Sequence, residues 1–332
     1  MISVIICSTR HTTRPELVDN IRQTIGTQYE IVHIDNSAGQ YGICQAYNVG
    51  VERAKGDILC FMHEDVEFHS MDWGKLVEHY FANNEIGMLG VAGSRLVPAR
   101  SDWRFIDLRY LVLRHIQGIT SPSGFYFVKP QDWEPTGHLH QVAILDGVWF
   151  CIPRDLFRSI RFDQETFPSF HLYDSDISMQ VNHLGKKLYV CDDVILEHFS
   201  EGTFSESFST GLDGFLRKWA SVLPLVLGAE SPLTDEVMEH QTCIAENNLR
   251  QRLKSDIIMT EYRSREVEGT LDTMEPEKLD VVWHREYVYI KKAIKFSIPL
   301  GQAWRLIMSY PWRYRKWKIK LMYKIIYYRL LR

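Results

Sequence analysis

Short apolar runs rich in β-branched residues alternate with stretches of helical periodicity through the first ninety residues, and this alternation constrains the fold more than any other feature. Ile2 to Cys7 reads as a strand, and a helix with Pro15 near its first turn follows to about Ile25. A strand from Glu30 to Asp35, a helix from about Gly42 to Ala54 and a strand from Asp57 to Met62 continue the pattern. Strands joined through helices pair in parallel by right-handed crossovers, so the expectation is an α/β, Rossmann-like chain with a mostly parallel central sheet and flanking helices. A helix over Trp73 to Asn83 and a strand over Met88 to Ala92 come next. Pro98 to His140 is aromatic and proline-interrupted, and reads as an insertion. Strand character returns at Val142 to Ile152, a helix is expected at Asp174 to Leu184, and short strands at Lys187 to Val190 and Val194 to Glu197. Beyond Gly202 the pattern is helical, with Glu261 to Asp280 charged and weakly periodic enough to read as a linker.

Composition narrows the class. With 45% hydrophobic and 24% charged residues in 332, the chain is globular and large enough for one large domain or two modest ones. Strand-like sequence from Ile2 leaves no room for a secretory leader, which gives a cytoplasmic expectation, and no run of eighteen apolar residues suggests a membrane span. Cys7, Cys44, Cys60, Cys151, Cys191 and Cys243 form no CxxC pair and read as reduced core residues. The division expected is a catalytic part over 1–205, a helical extension over 206–290 and a basic aromatic segment over 291–332.

Ligands of open α/β sheets bind at the carboxyl ends of strands, and those ends are polar here: Ser8-Thr9-Arg10, Asp35-Asn36-Ser37, His63-Glu64-Asp65 and Asp146-Gly147. No GxGxxG follows the first strand and no GxxxxGK[ST] occurs, so phosphates must be held otherwise. A divalent cation is the alternative, since Mg²⁺ or Mn²⁺ takes one or two protein carboxylates and fills its shell with phosphate oxygen and water. In extended chain His63 and Asp65 point to one side and Glu64 to the other.

The stretches Ile2-Ser3-Val4-Ile5-Ile6-Cys7-Ser8-Thr9, Tyr47-Asn48-Val49-Gly50, Ala54-Lys55-Gly56-Asp57 and His63-Glu64-Asp65 together resemble a family 2 glycosyltransferase with the GT-A fold. Cys60 to Val66, Leu145 to Trp149 and Phe170 to Ser178 resemble its streptomycin-biosynthesis-type branch, and the likeness covers roughly residues 1 to 205. The resemblance implies a nucleotide-sugar donor and a divalent metal. It places Thr9, Arg10, Asp35, Asn36, Asn48 and Glu64 near the nucleotide, Asp35 at the base. It makes Asp65, His63 and His198 the metal set, with His63 standing where the family has Asp and acting either directly or through water. Asp174 becomes the general base, with Tyr173 in place of the usual Glu, while Asp146, Gly147, Trp149 and Asp176 line the donor-sugar or acceptor region. Direct displacement would invert the anomeric carbon, the acceptor being a saccharide or a lipid-linked molecule. His138 and His140 are expected to be structural.

Residues 291–332 hold twelve Lys/Arg, no Asp or Glu, and nine aromatics. On a helix Trp317, Leu321, Ile325 and Tyr328 form one stripe, and Ile319, Ile326 and Leu330 lie nearly opposite. An anionic membrane surface, which would make the protein peripheral to the inner face of the membrane, and docking on the chain's own acidic body are the two readings. Nucleic acid finds no motif in support. The leading expectation is a metal-dependent glycosyltransferase; a nucleotide-sugar-binding protein without turnover and a membrane adaptor are its rivals.

Overall fold

A computed structural model of the protein describes residues 1–122, 124–129, 136–202, 204–229, 232–296 and 300–326. The chain divides into two compact units, one made of Met1–His115, Glu134–His198 and Glu206–Leu249, the other of Ile116–Trp133, Phe199–Ser205 and Arg250–Arg332. Packing therefore does not follow divisions at 205 and 290: residues 206–249 belong with the sheet, and 116–133 with the C-terminal helices.

The first unit is built on a seven-stranded sheet in the order Leu139–Val142, Lys187–Cys191, Ile86–Gly90, Trp149–Pro153, Ile58–Met62, Ile2–Ser8, Tyr29–Asp35. Leu139–Val142 and Trp149–Pro153 run against the other five, so the sheet is mixed and mostly parallel. The expected strands and helices of the first sixty-two residues are present, as Ile2–Ser8, Pro15–Thr24, Tyr29–Asp35, Ile43–Arg53 and Ile58–Met62. Every residue of Ile58–Met62 is buried, which is what a strand covered on both faces requires. The single strand expected over Val142 to Ile152 falls on three, the end of Leu139–Val142, then Ile144–Leu145 and Trp149–Pro153. Asp146-Gly147-Val148 breaks it, and Ile144–Leu145 pairs instead with Ala92–Ser94 in a small sheet that also holds Leu111–Leu113 of the expected insertion.

Two expectations are corrected. Cys60 and Cys151 face each other across the antiparallel ladder and form a disulfide, although 91 residues separate them. Spacing in sequence carries no trace of a pairing that strand register creates. Cys44 and Cys191 are buried free thiols, Cys7 is half-buried and Cys243 exposed. Nor is Glu261 to Asp280 a linker: it is the end of helix Asp235–Glu268, the short turn Leu271–Thr273 and the start of helix Pro276–Phe296. Met274 and Val282 bury themselves against Ile258, Met259 and Tyr262, and Arg285 reaches the buried Asp256 at 2.5 Å.

In the second unit the hairpin Ile116–Ser121 and Gly124–Val128 supplies Ile119 and Tyr126 to a core shared with Ile290, Ile294, Leu306, Ile307, Leu321 and Ile325. Trp317 packs at its margin, so the stripe Trp317–Leu321–Ile325 faces the protein. Burial of Leu321 and Ile325 is worth about 2 kcal/mol each, against about 1 kcal/mol for a cation near anionic lipid, so this stripe belongs to the fold. Tyr328 and Leu330 lie outside the described residues, while Ile319 and Ile326 are exposed. Among the described residues no helix is long and apolar enough to cross a membrane.

Candidate functional site

The end of strand Ile58–Met62 carries His63 and Asp65 to one side and Glu64 to the other, the alternation that extended chain dictates. Antiparallel pairing of Leu196–His198 with Val66–Phe68 sets His198 opposite Val66 and so beside Asp65. His63 Nδ1 lies 3.1 Å from His198 Nε2 and 3.9 Å from Asp65 Oδ1, and His198 Nε2 lies 3.4 Å from Asp65 Oδ1. The three residues offer ligand atoms within 4.8 Å of one another.

A hydrogen-bond chain fixes the state of His63. The Tyr173 hydroxyl donates to the Gly147 carbonyl at 3.2 Å, and its one proton is thereby spent. It then accepts from His63 Nε2 at 3.1 Å, which leaves the lone pair on Nδ1, facing Asp65 and His198. Burial, with His198 adding to it, pushes the His63 imidazole down to about 4, so the ring is neutral at pH 7. Two imidazoles and a carboxylate, with the His63 Nδ1 lone pair turned toward His198 Nε2 at 3.1 Å, form a donor set that suits a borderline cation such as Mn²⁺.

Behind this group Leu172 adopts left-handed backbone (φ 66°) although its side chain is buried, and opens helix Tyr173–His183 so that Tyr173 and Asp174 fill the first turn. Asp174 is 3% exposed and accepts from the Gly147 amide at 2.9 Å, the Ser175 amide at 2.8 Å and the Arg104 guanidinium. Arg104 also meets Asp102 at 3.0 Å and Asp146 at 3.2 Å. Burial pushes the Asp174 carboxyl up to about 6, Arg104 opposing and Asp146 adding to the rise. For Asp146 burial acts upward too, but Arg104, His115 and His63 hold it below the usual carboxylate range. Gly147 is compelled by this packing, because a Cβ there would stand 2.0 Å from the Tyr173 oxygen. Gly147→Ala is expected to lose about 1–3 kcal/mol in urea unfolding; an unchanged midpoint would show that Tyr173 swings aside.

Most of the residues expected near the nucleotide lie at neighbouring strand ends. Glu64 accepts from the Ser8 hydroxyl, the Thr9 amide at 3.2 Å and the Thr9 hydroxyl at 3.0 Å. Burial acts to raise its pKa, and these bonds outweigh it, leaving the carboxyl below its ordinary value. The Arg10 amide donates to Ser8 Oγ and its side chain is exposed. Asp35, opposite Ser8 in register, takes the Ser37 amide at 2.9 Å and lies 3.0 Å from His11 Nδ1; Ser37 above all, then His11, holds it well below the usual range.

Four expected positions have their partners within the protein. Asn36 closes its own loop through Tyr41, donating to its carbonyl and accepting from its amide, both at 2.9 Å. Asn48 is buried and donates to Phe162 O at 2.9 Å, tying helix Ile43–Arg53 to that loop. Trp149 is fully buried against Trp73 and Phe68. Asp176 sits two residues, and so about 200°, round the helix from Asp174 and is held by Lys218, Trp219 and Gln180. His140 lies 3.4 Å from Asp192, and the His138 amide donates to Asp192. Sequence reasoning missed Arg104, His11 and Phe170, the last 53% exposed with its ring 5.8 Å from that of His63. Phe170 lay within a quoted motif and had a signal; Arg104, in the insertion, had none.

The model of a family described as a glycosyltransferase-like family matches residues 3–200. No curated protein matches the chain. Among solved structures, GalNAc-T7 with UDP, GalNAc and Mn²⁺ is similar at 14% identity and TM-score 0.42, over 80% of this chain. This chain spans 57% of that one's length. The mannosyltransferase PcManGT from Pyrobaculum calidifontis, in complex with GDP-Man and Mn²⁺, is similar at 14% identity and TM-score 0.40, over 98% of this chain and 84% of its own. TarS residues 1–349 from S. aureus is similar at 11% identity and TM-score 0.41, over 98% and 88%.

Proposed function

The chain belongs to the glycosyltransferase-like family, and from that premise we propose that it is a divalent-metal-dependent enzyme transferring a hexosyl or related sugar, with inversion, from a nucleotide-sugar donor to a hydroxyl of a free or lipid-linked saccharide. The observation that carries this reading is the convergence of His63, Asp65 and His198 at a strand end next to the polar ends of two others. A bound Mn²⁺ or Mg²⁺ would neutralise the diphosphate as it departs. Asp35, Thr9 and Arg10 border the exposed surface that receives the nucleoside, and Phe170 offers an open ring face beside His63. Asp174 takes the proton of the acceptor hydroxyl. Its carboxyl, raised to about 6, is ionised at pH 7 yet basic enough to accept. Arg104 orients it together with Asp146 and offsets part of the negative charge that the carboxylates bring. One displacement assisted by one base gives inversion.

The test is release of nucleoside diphosphate from a panel of UDP-, GDP- and TDP-sugars with Mn²⁺ or Mg²⁺, repeated with a chelator. Release from one donor, abolished by the chelator, is the expected result. Release indifferent to the chelator overturns the metal dependence; binding without any release or transfer leaves donor binding as the function.

A further inference from the structure

The helix Arg315–Ile325 has two apolar faces, and its fold uses one. Leu321 and Ile325 are fully buried, whereas Ile319 (61% exposed), Tyr323 (64%) and Ile326 (40%) stand in the open. At 100° per residue these three fall within an arc of about 60°, opposite the buried stripe. Arg315, Lys316 and Lys320 are exposed along its two borders. Lys318 is occupied, its ammonium donating to the Met308 carbonyl at 3.1 Å and the Tyr310 carbonyl at 3.3 Å. Residues 300–326 hold seven Lys/Arg and no Asp or Glu.

We propose that the outer face of this helix, Ile319, Tyr323 and Ile326 flanked by Arg315, Lys316 and Lys320, docks the protein on an anionic lipid bilayer. A bilayer surface rewards this combination: apolar side chains enter the acyl boundary, a tyrosine sits at headgroup level, and cations on both flanks meet lipid phosphate. Nucleic acid would use the cations and leave Ile319 and Ile326 in water. A second copy would set the three flanking cations against three of the same sign. The proposal reaches beyond sugar transfer and does not depend on it.

Full-length protein is sedimented with vesicles of phosphatidylcholine alone and of phosphatidylcholine mixed with phosphatidylglycerol. Binding is expected to the mixed vesicles alone and to weaken with salt. The variants Ile319→Ser/Ile326→Ser and Arg315→Ala/Lys316→Ala/Lys320→Ala should each lower the partition coefficient, the second by roughly a hundredfold. Both should keep the wild-type melting temperature and Mn²⁺ affinity, since all five side chains are exposed and lie in the other unit from His63. Failure to bind mixed vesicles, equal binding to neutral ones, or full binding by both variants overturns the proposal. So does a dimer that the variants dissociate, or retention on an RNA homopolymer by a protein that ignores vesicles.

Discussion

An Asp65→Ala protein is expected to lose Mn²⁺ affinity by at least about a hundredfold, and its metal-assisted binding of nucleoside diphosphate with it. Asp65 is the one carboxylate among the three converging side chains, and the imidazoles of His63 and His198 bring no negative charge to a divalent ion. The side chain is 28% exposed at a strand end, so its removal should leave the fold intact, with a thermal midpoint within a few degrees of wild type. Calorimetry, or the paramagnetic signal of free Mn²⁺, measures the loss without any need for turnover. Wild-type affinity in this variant would show that the three residues are a hydrogen-bonded cluster and nothing more.

The second large effect is expected from Asp174→Asn. The amide keeps an oxygen for the Gly147 amide and preserves side-chain volume, but it cannot take a proton, so turnover should drop by roughly a thousandfold while donor affinity stays near wild type. The wild-type pH profile carries the same information. A base works in its deprotonated form, and with a pKa of about 6 the rate should be level above about pH 7 and fall about tenfold per unit below 6. Persistent turnover in the variant would move the role to Asp146. Asp146 shares Arg104 and its side chain is 27% exposed, whereas Asp176 is committed to Lys218 and Trp219.

Much of this was legible in the chain, for definable reasons. Periodicity recovered the strands and helices up to Met62 because each is a strongly patterned element with its own boundary residues. The alternation of His63, Glu64 and Asp65 was readable because a two-residue repeat is a local property. Asp176 was misplaced because adjacency in a motif says nothing of helical phase, and Trp149 because a strand that ends near a site also has an inward face. Asn48 was read as a nucleotide-binding residue, and the structure buries it against the Phe162 carbonyl; an amide looks the same in sequence in either setting. Arg104 had to wait for the structure, since a short turn in an aromatic insertion places it, and only the fold brings Asp102, Asp146 and Asp174 around it.

Strand Trp149–Pro153 fills the gap between Ile58–Met62 and Ile86–Gly90, and this has a consequence for the order of assembly. A ribosome delivers those two neighbours long before the strand that separates them. Until about residue 150 has emerged, the nascent chain carries two unsatisfied strand edges that must not close on each other, because joining them would exclude the late strand and the Asp146-Gly147 turn that precedes it. The end of strand Ile58–Met62 that carries His63 and Asp65 thus emerges early, but the partner of the His63 amide, the Val148 carbonyl, arrives only with the late strand. A chain that stalls before this point should be a substrate for chaperones, and a fragment ending there should aggregate through the edge of Ile58–Met62.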